Sequence, residues 1–327
     1  MNHVLLLILQ SLIFPGFIFV FFLALFVEWF ERKLTGRMEN RMGPTYTGPH
    51  GILQPFADFI KLLQKETIDV VSMVPQVIDL LIVLALSIYI FCALFIPYTG
   101  NAVLSFRGDI ILVPLLLGLA SSFLYFAGLL TKNALTVIGA LRLLLQVIAL
   151  DIPMISLIAL PAIFTGSLTI EKVSHIMPYC LIKQPLLIPV WLIALLLLAI
   201  TEQAEIERNP FSMPHAETEI VAGYLTEFSG ARLALVNLAR DAQLAVTSSF
   251  VASIFIGGLL TSNVLTAKVI NVVILLLETF LVIFVATEIK CITARLRIDI
   301  ALDFFWKYII PSCIGLLLLA IVVKVII

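Results

Sequence analysis

Asp151 is a carboxylate inside a strongly apolar run, GALRLLLQVIALDIPMISLIALPAIF, with Arg142 and Gln146 before it and Pro153 two residues after it. A charge placed in a membrane span costs roughly 2.5–3.5 kcal/mol on insertion scales, so each one asks for a partner, a wet cavity or a task. Arg142 and Gln146 are four residues apart and share a helix face, whereas Asp151 lies about 140° round an ideal helix from Gln146. Pro153 lacks an N–H and frees the Ala149 carbonyl, which predicts a distortion that admits water and turns Asp151 inward. The competing reading is a structural ion pair with a basic residue on a neighbouring helix.

A second group of acids lies in TEQAEIERNPFSMPHAETEIVAGYLTEFSG, where Glu202, Glu205, Glu207, Glu217, Glu219 and Glu227 face Arg208 alone. Carboxylates clustered in a partly desolvated place raise one another's pKa and relay protons near neutral pH. Phe, Met, Pro, Ile and Val between the acids argue against an ordinary hydrated loop, which is the alternative. His215 adds a group that titrates near physiological pH, and Glu278 inside a later span raises the same question of cost. The expected proton-path or coupling set is Asp151, Glu205, Glu217, Glu219, Glu227, Glu278, Arg142, Gln146 and His215. A third group, Glu31, Arg32, Lys33, Arg37 and Arg41 with the Gly43-Pro44 turn, reads as interfacial anchors or a docking surface.

The elements that must position these groups follow from composition. Of 327 residues, 61% are hydrophobic and only 13% charged, with a mean hydropathy of +1.15, well outside the soluble range. The balance of 20 Lys and Arg against 21 Asp and Glu removes the electrostatic footprint of a nucleic-acid binder. Apolar runs at about 4–27, 76–97, 110–130, 136–164, 185–201, 233–260, 266–288 and 307–326 predict about eight transmembrane helices. Backbone satisfaction in lipid makes the fold class all-α and polytopic, a single membrane domain over 1–327. Its two large cytoplasmic segments are 28–75 and the acidic 202–232. Within the first, Ile52, Phe56, Phe59, Ile60 and Leu63 recur at helical spacing opposite Asp58, Lys61 and Lys65, which predicts a cytoplasmic amphipathic helix.

Thirteen Lys and Arg in the odd-numbered connections against four in the even ones place the odd loops in the cytoplasm and both termini outside. The start of the chain lacks a basic n-region and a cleavage site and reads as a retained first helix. Cys92, Cys180, Cys291 and Cys313 are far apart, and His3, His50, His175 and His215 are scattered. No metal, iron–sulfur or haem site is expected in this chain.

EWFERKLTGRMENRMGPTYTGPHGILQPFADFIKLLQKE resembles the first large loop of the membrane subunit 1 family of respiratory complex I, with its ERK, Gly-Pro and LQPxAD features. GALRLLLQVIALDIP, NPFSMPHAETEIVAGYLTEFSG and ARLRIDIALDFFWKYIIP resemble three further segments of that family, in order, from about residue 28 to 311. The resemblance implies a non-redox membrane subunit that seats hydrophilic redox subunits and begins a chain of acids toward antiporter-like membrane subunits, within the lipid bilayer of the cytoplasmic membrane. It leaves iron–sulfur clusters and any nickel-iron site to partner subunits. Asp151 stands where the family usually has Glu, His215 where it has the first Glu of EAESE, and Thr45 where Asn is usual. These departures tilt the expectation toward the ferredoxin-driven branch of membrane-bound hydrogenases and sulfane sulfur reductases. A quinone-site subunit of respiratory complex I is the alternative, and a free-standing ion-coupled secondary transporter the second.

Overall fold

The computed structural model describes residues 2–70, 73–258 and 264–326. The helices are α1 (Asn2–Leu12), α2 (Phe17–Met38), α3 (Gln54–Gln64), α4 (Pro75–Ala93), α5 (Asp109–Leu129), α6 (Ala134–Thr165) and α7 (Ile170–Lys183). They continue as α8 (Ile188–Glu205), α9 (Glu217–Ile220), α10 (Gly230–Phe255), α11 (Leu265–Ile292), α12 (Ile298–Phe304) and α13 (Ile310–Ile326). No strand occurs among the described residues. A short π-helical stretch, Phe305–Ile309, joins α12 to α13 and makes one long element.

Among the described residues seven stretches are long and apolar enough to cross a membrane: Leu7–Met38, Pro75–Ala93, Asp109–Leu129, Ala134–Thr165, Pro185–Glu205, Leu265–Ile292 and Ile298–Val325. The eighth expected span is α10. Arg240, Asp241, Gln243 and the polar run Thr247–Ser249 lower its hydropathy, yet every residue from Asp241 to Phe255 is buried. It is the central post of the bundle, lying against α2, α4 and α11. The hydropathy pattern also fails to separate α7, a short helix between spans whose inner face carries Ile170, Val173 and Met177.

Local signals set the ends of α6. Asn133 caps its start by accepting from the Leu135 amide at 3.2 Å, and Gly166, at φ 72°, ends it in the left-handed region. α6 runs as one helix through both Pro153 and Pro161, so the distortion expected at Pro153 does not interrupt it. The acidic segment between α8 and α10 is not a hydrated loop. Phe211, Met213, Tyr224 and Phe228 are buried in the core. A β-carbon at Gly139 would meet the Tyr224 backbone nitrogen at 2.6 Å, and one at Gly128 would meet the Tyr224 β-carbon at 2.8 Å. Two glycines on α5 and α6 thus make the slot into which this segment folds.

Candidate functional site

Asp151 sits on α6 opposite Gly118 of α5, where a β-carbon would lie 3.1 Å from its Oδ1. Three residues along α5, the Ser121 hydroxyl lies 3.3 Å from the Tyr89 hydroxyl and accepts from Gln243 Nε2 of α10 at 3.2 Å. The same Gln243 amide donates to the Glu205 carbonyl at 2.8 Å and reaches its carboxylate at 3.5 Å. Asp151 and Glu205 are near enough for their charges to interact, and so are Glu205 and Glu207. One turn earlier on α8, Glu202 is buried and accepts from the Ser248 hydroxyl at 2.9 Å.

Glu207 continues the line just past the end of α8. It is buried, lies 2.5 Å from His215 Nε2 and accepts from the Tyr224 hydroxyl at 3.3 Å. Burial alone would push its carboxyl up, but the His215 hydrogen bond and the nearby Arg240 charge hold it below the ordinary range. Burial, then Arg240, pushes His215 down against the pull of Glu207. At neutral pH the arrangement is therefore a neutral imidazole donating to an ionised carboxylate. Both groups bind protons less readily folded than unfolded, so acidification should weaken this segment in two steps. The first begins as pH falls through the ordinary histidine value of 6.5 and the second below the ordinary carboxylate value of 4.5. Hydrogen exchange of residues 207–224 should accelerate accordingly, and His215→Gln should abolish only the upper step. A flat pH profile would count against the assignment.

Beyond Arg240 lies a polar cavity of about 230 Å³ lined by Glu28, Glu31, Arg32, Arg208, Asn237, Arg240, Asp241 and Lys290. Glu31 is its centre: Arg208 Nη2 is 2.8 Å from one carboxylate oxygen and Lys290 Nζ 2.6 Å from the other. Asp241 lies beside Glu28 in the same cavity. Glu28 pairs with Arg32, which also donates to Asp58 of α3 at 2.7 Å. A further cavity of about 310 Å³ connects Glu28, Asp58 and Asp241 to Lys61 and Lys65. Charged and polar groups thus run from the middle of α6 to the helix outside the spans.

The remaining expected residues fall in several places. Gln146 turns away from Asp151 and donates to the Ala204 carbonyl at 2.6 Å. Arg142, at 2.5 Å, and Arg295 both hold Glu219, an exposed carboxylate whose pKa these two hydrogen bonds lower, Arg142's first. Glu227 takes the Asn133 amide near the start of α6. Glu278 is half-buried on α11 with one oxygen unpartnered. The side chain of Glu217 lies outside the described residues.

In the first loop, Glu31 is buried in the ion cluster and does not present an exposed docking group. Lys33 is an internal strut, donating to the Pro44 carbonyl at 2.8 Å. Gly43 sits under Gly36, whose β-carbon would lie 2.8 Å from the Gly43 nitrogen, and Pro44 backs Gly51. Arg32, Arg37 and Arg41 are exposed. Sequence reasoning missed Asp241, Gln243, Arg240 and Glu207 as members of the line. The signal for the first three was the cost of charge and amide within a run otherwise long enough to span.

An apolar groove of about 510 Å³ lies between α2, α3 and α11, walled by Phe22, Phe26, Ile52, Phe56 and Phe280 among others. Leu25 is common to this groove and to the 310 Å³ polar cavity. On α3, Phe59 meets the ring of Phe21 at 5.5 Å while Ile60 and Leu63 remain exposed.

The family model for NADH dehydrogenase matches residues 11–321. An NADH-quinone oxidoreductase subunit of Thermomicrobium roseum is 34% identical over 313 aligned positions, which cover 88% of this chain and 88% of that protein. Among solved structures, a chain of the membrane-bound sulfane sulfur reductase, an archaeal respiratory membrane complex, superposes with a TM-score of 0.83 at 26% identity, over 96% of this chain and 99% of its own. The chain belongs to the NADH dehydrogenase family, as the membrane subunit 1 type whose Gly-Pro, GALR and acidic segments its own sequence resembles.

Proposed function

We propose that the chain is the coupling subunit of a ferredoxin-driven, energy-converting oxidoreductase of the membrane-bound hydrogenase or sulfane sulfur reductase type. It seats hydrophilic redox subunits at one end of its bundle. It passes charge and protonation changes through buried carboxylates to antiporter-like membrane subunits that move protons or sodium ions. The chain forms no bond to substrate; iron–sulfur clusters and any nickel-iron site belong to partner subunits. It lies in the cytoplasmic membrane with both termini outside.

The observation that carries this reading is a row of polar groups: Gln243 joins Ser121 to Glu205, Glu205 is within charge range of Asp151 and Glu207, His215 holds Glu207, and Arg240 is within charge range of both Glu207 and Glu31. Charge appearing at a docked redox centre acts strongly on such groups because few water dipoles screen them. The docking end is marked by Tyr46 and Met42, which are 98% and 88% exposed beside Arg37 and Arg41. Large apolar side chains held out in this way mark interaction surfaces. A photo-crosslinker carried on Tyr46→Cys or Met42→Cys in native membranes should capture a hydrophilic redox subunit. Products formed only with lipid or solvent would remove the docking assignment.

The apolar groove supports a second reading, a quinone site, because an isoprenoid tail fits a membrane-level aromatic groove that shares a wall with a charged cavity. Ferredoxin-dependent hydrogen or sulfide production by the native complex without added quinone distinguishes the first reading from the second.

A further inference from the structure

At the end of the bundle opposite Glu205, a cavity of about 700 Å³ opens between α5, α6 and α13. Three basic side chains line it: Arg107 before α5, Lys172 at the start of α7 and Lys324 near the end of α13. This end of the chain is poor in cations, since the even-numbered connections hold only Arg107, Lys172, Lys183 and Lys268. Two of those four, joined by Lys324, converge on one pocket.

Convergence of like charges is unfavourable unless something negative compensates it. None of the three makes an ion pair among the described residues. The nearby acids make no ion pair with the three: Asp109 is buried, accepts from the Ile170 amide at 2.9 Å through one oxygen and leaves the other unpartnered, and Glu171 accepts from the Ala102 amide at 3.4 Å. Lys324 is held over the last carbonyls of α6, those of Ile163 and Phe164. The Thr169 hydroxyl is buried in the wall without a hydrogen-bond partner. Below this polar rim the walls are aliphatic: Ile110, Ile111, Ala159 and Ile163.

A basic rim at the end of a membrane helix bundle, above an aliphatic groove, matches one kind of ligand. We propose that this pocket holds the headgroup of an anionic phospholipid, with Arg107 and Lys172 on the phosphodiester, Thr169 donating to it, and an acyl chain along Ile111 and Ile163. A basic pocket between spans is a recognised form of lipid-headgroup site, and the aliphatic groove favours a lipid over free phosphate.

Native mass spectrometry of the purified complex in an uncharged detergent tests this, with added dioleoylphosphatidylglycerol and dioleoylphosphatidylcholine as probes. Phosphatidylglycerol should bind in preference, and the double variant Arg107→Gln/Lys172→Gln should bind it about thirtyfold more weakly, or ~2 kcal/mol at 1.4 kcal/mol per tenfold. Lys183→Gln/Lys268→Gln removes the same charge from the same end and should leave binding unchanged. Lys324 is left in place because it caps α6. Equal binding of the two lipids, equal losses in the two double variants, or displacement by excess inorganic phosphate would each overturn the proposal.

Discussion

Asp151→Asn should leave the complex assembled and cut redox-driven ion translocation into sealed vesicles by at least about tenfold, since a positioned proton-transfer group contributes roughly a hundredfold or more. The substitution keeps the side-chain volume, so the contact with Gly118 survives and no cavity opens. Only the titratable proton is lost. Among the described residues no hydrogen bond or ion pair ties Asp151 to a basic residue, the nearby Gln146 and Arg142 being engaged elsewhere, so there is no structural pair for the variant to break. Redox turnover in unsealed membranes separates coupling from electron transfer and should persist. Gly118→Ala is an independent check: its methyl would press on Asp151 Oδ1 at 3.1 Å, and translocation should fall while the carboxylate remains. Unchanged pumping in both variants would reduce the carboxylate to a structural group.

Glu31→Gln should destabilise the bundle by about 3–5 kcal/mol, the range for removing one partner of a buried ion pair. The Glu31 side chain is 7% exposed and holds two cations, one from the segment after α8 and one from the end of α11. With it neutralised, Arg208 and Lys290 repel each other in the cavity they share. The thermal unfolding midpoint in detergent should drop by several degrees. Glu31→Asp should retain most of the stability, and adding Lys290→Met to Glu31→Gln should recover part of the loss because it removes one uncompensated charge. An unchanged midpoint in Glu31→Gln would mean that water already screens the cluster.

The fold was largely legible because lipid leaves the backbone few options, and apolar runs of sufficient length mark spans directly. Asp151, Glu205 and His215 were legible by cost, as polar groups in places that penalise them. Pairing was not. Glu31 reads as an anchor at a helix end beside Arg32 and Lys33, yet its partners Arg208 and Lys290 lie far along the chain and no local spacing points to them. Lys33 fails for the opposite reason: a surface-type residue whose ammonium is taken by carbonyls of its own loop. Pro153 predicts a local distortion, and α6 nonetheless continues as one helix to Thr165. Tyr224 shows the limit of pattern reading, since its slot is made by Gly128 and Gly139, which the sequence displays only as two more small residues in apolar runs.

The burial of α10 on every side from Asp241 to Phe255 bears on how the protein is made. Arg240 and Asp241 each cost roughly 2.5–3.5 kcal/mol in a lone helix at mid-membrane, more than its leucines and valines return on the same scale. Its polar side chains are instead answered by Glu202, Glu205 and Ser121 on helices synthesised earlier, and by Thr279 on one synthesised later. Biogenesis therefore has a required order. The first five spans must gather before the post can leave the translocation machinery, and α11 then closes the side still open. A chain truncated after Phe255 keeps its most polar span facing lipid along that seam.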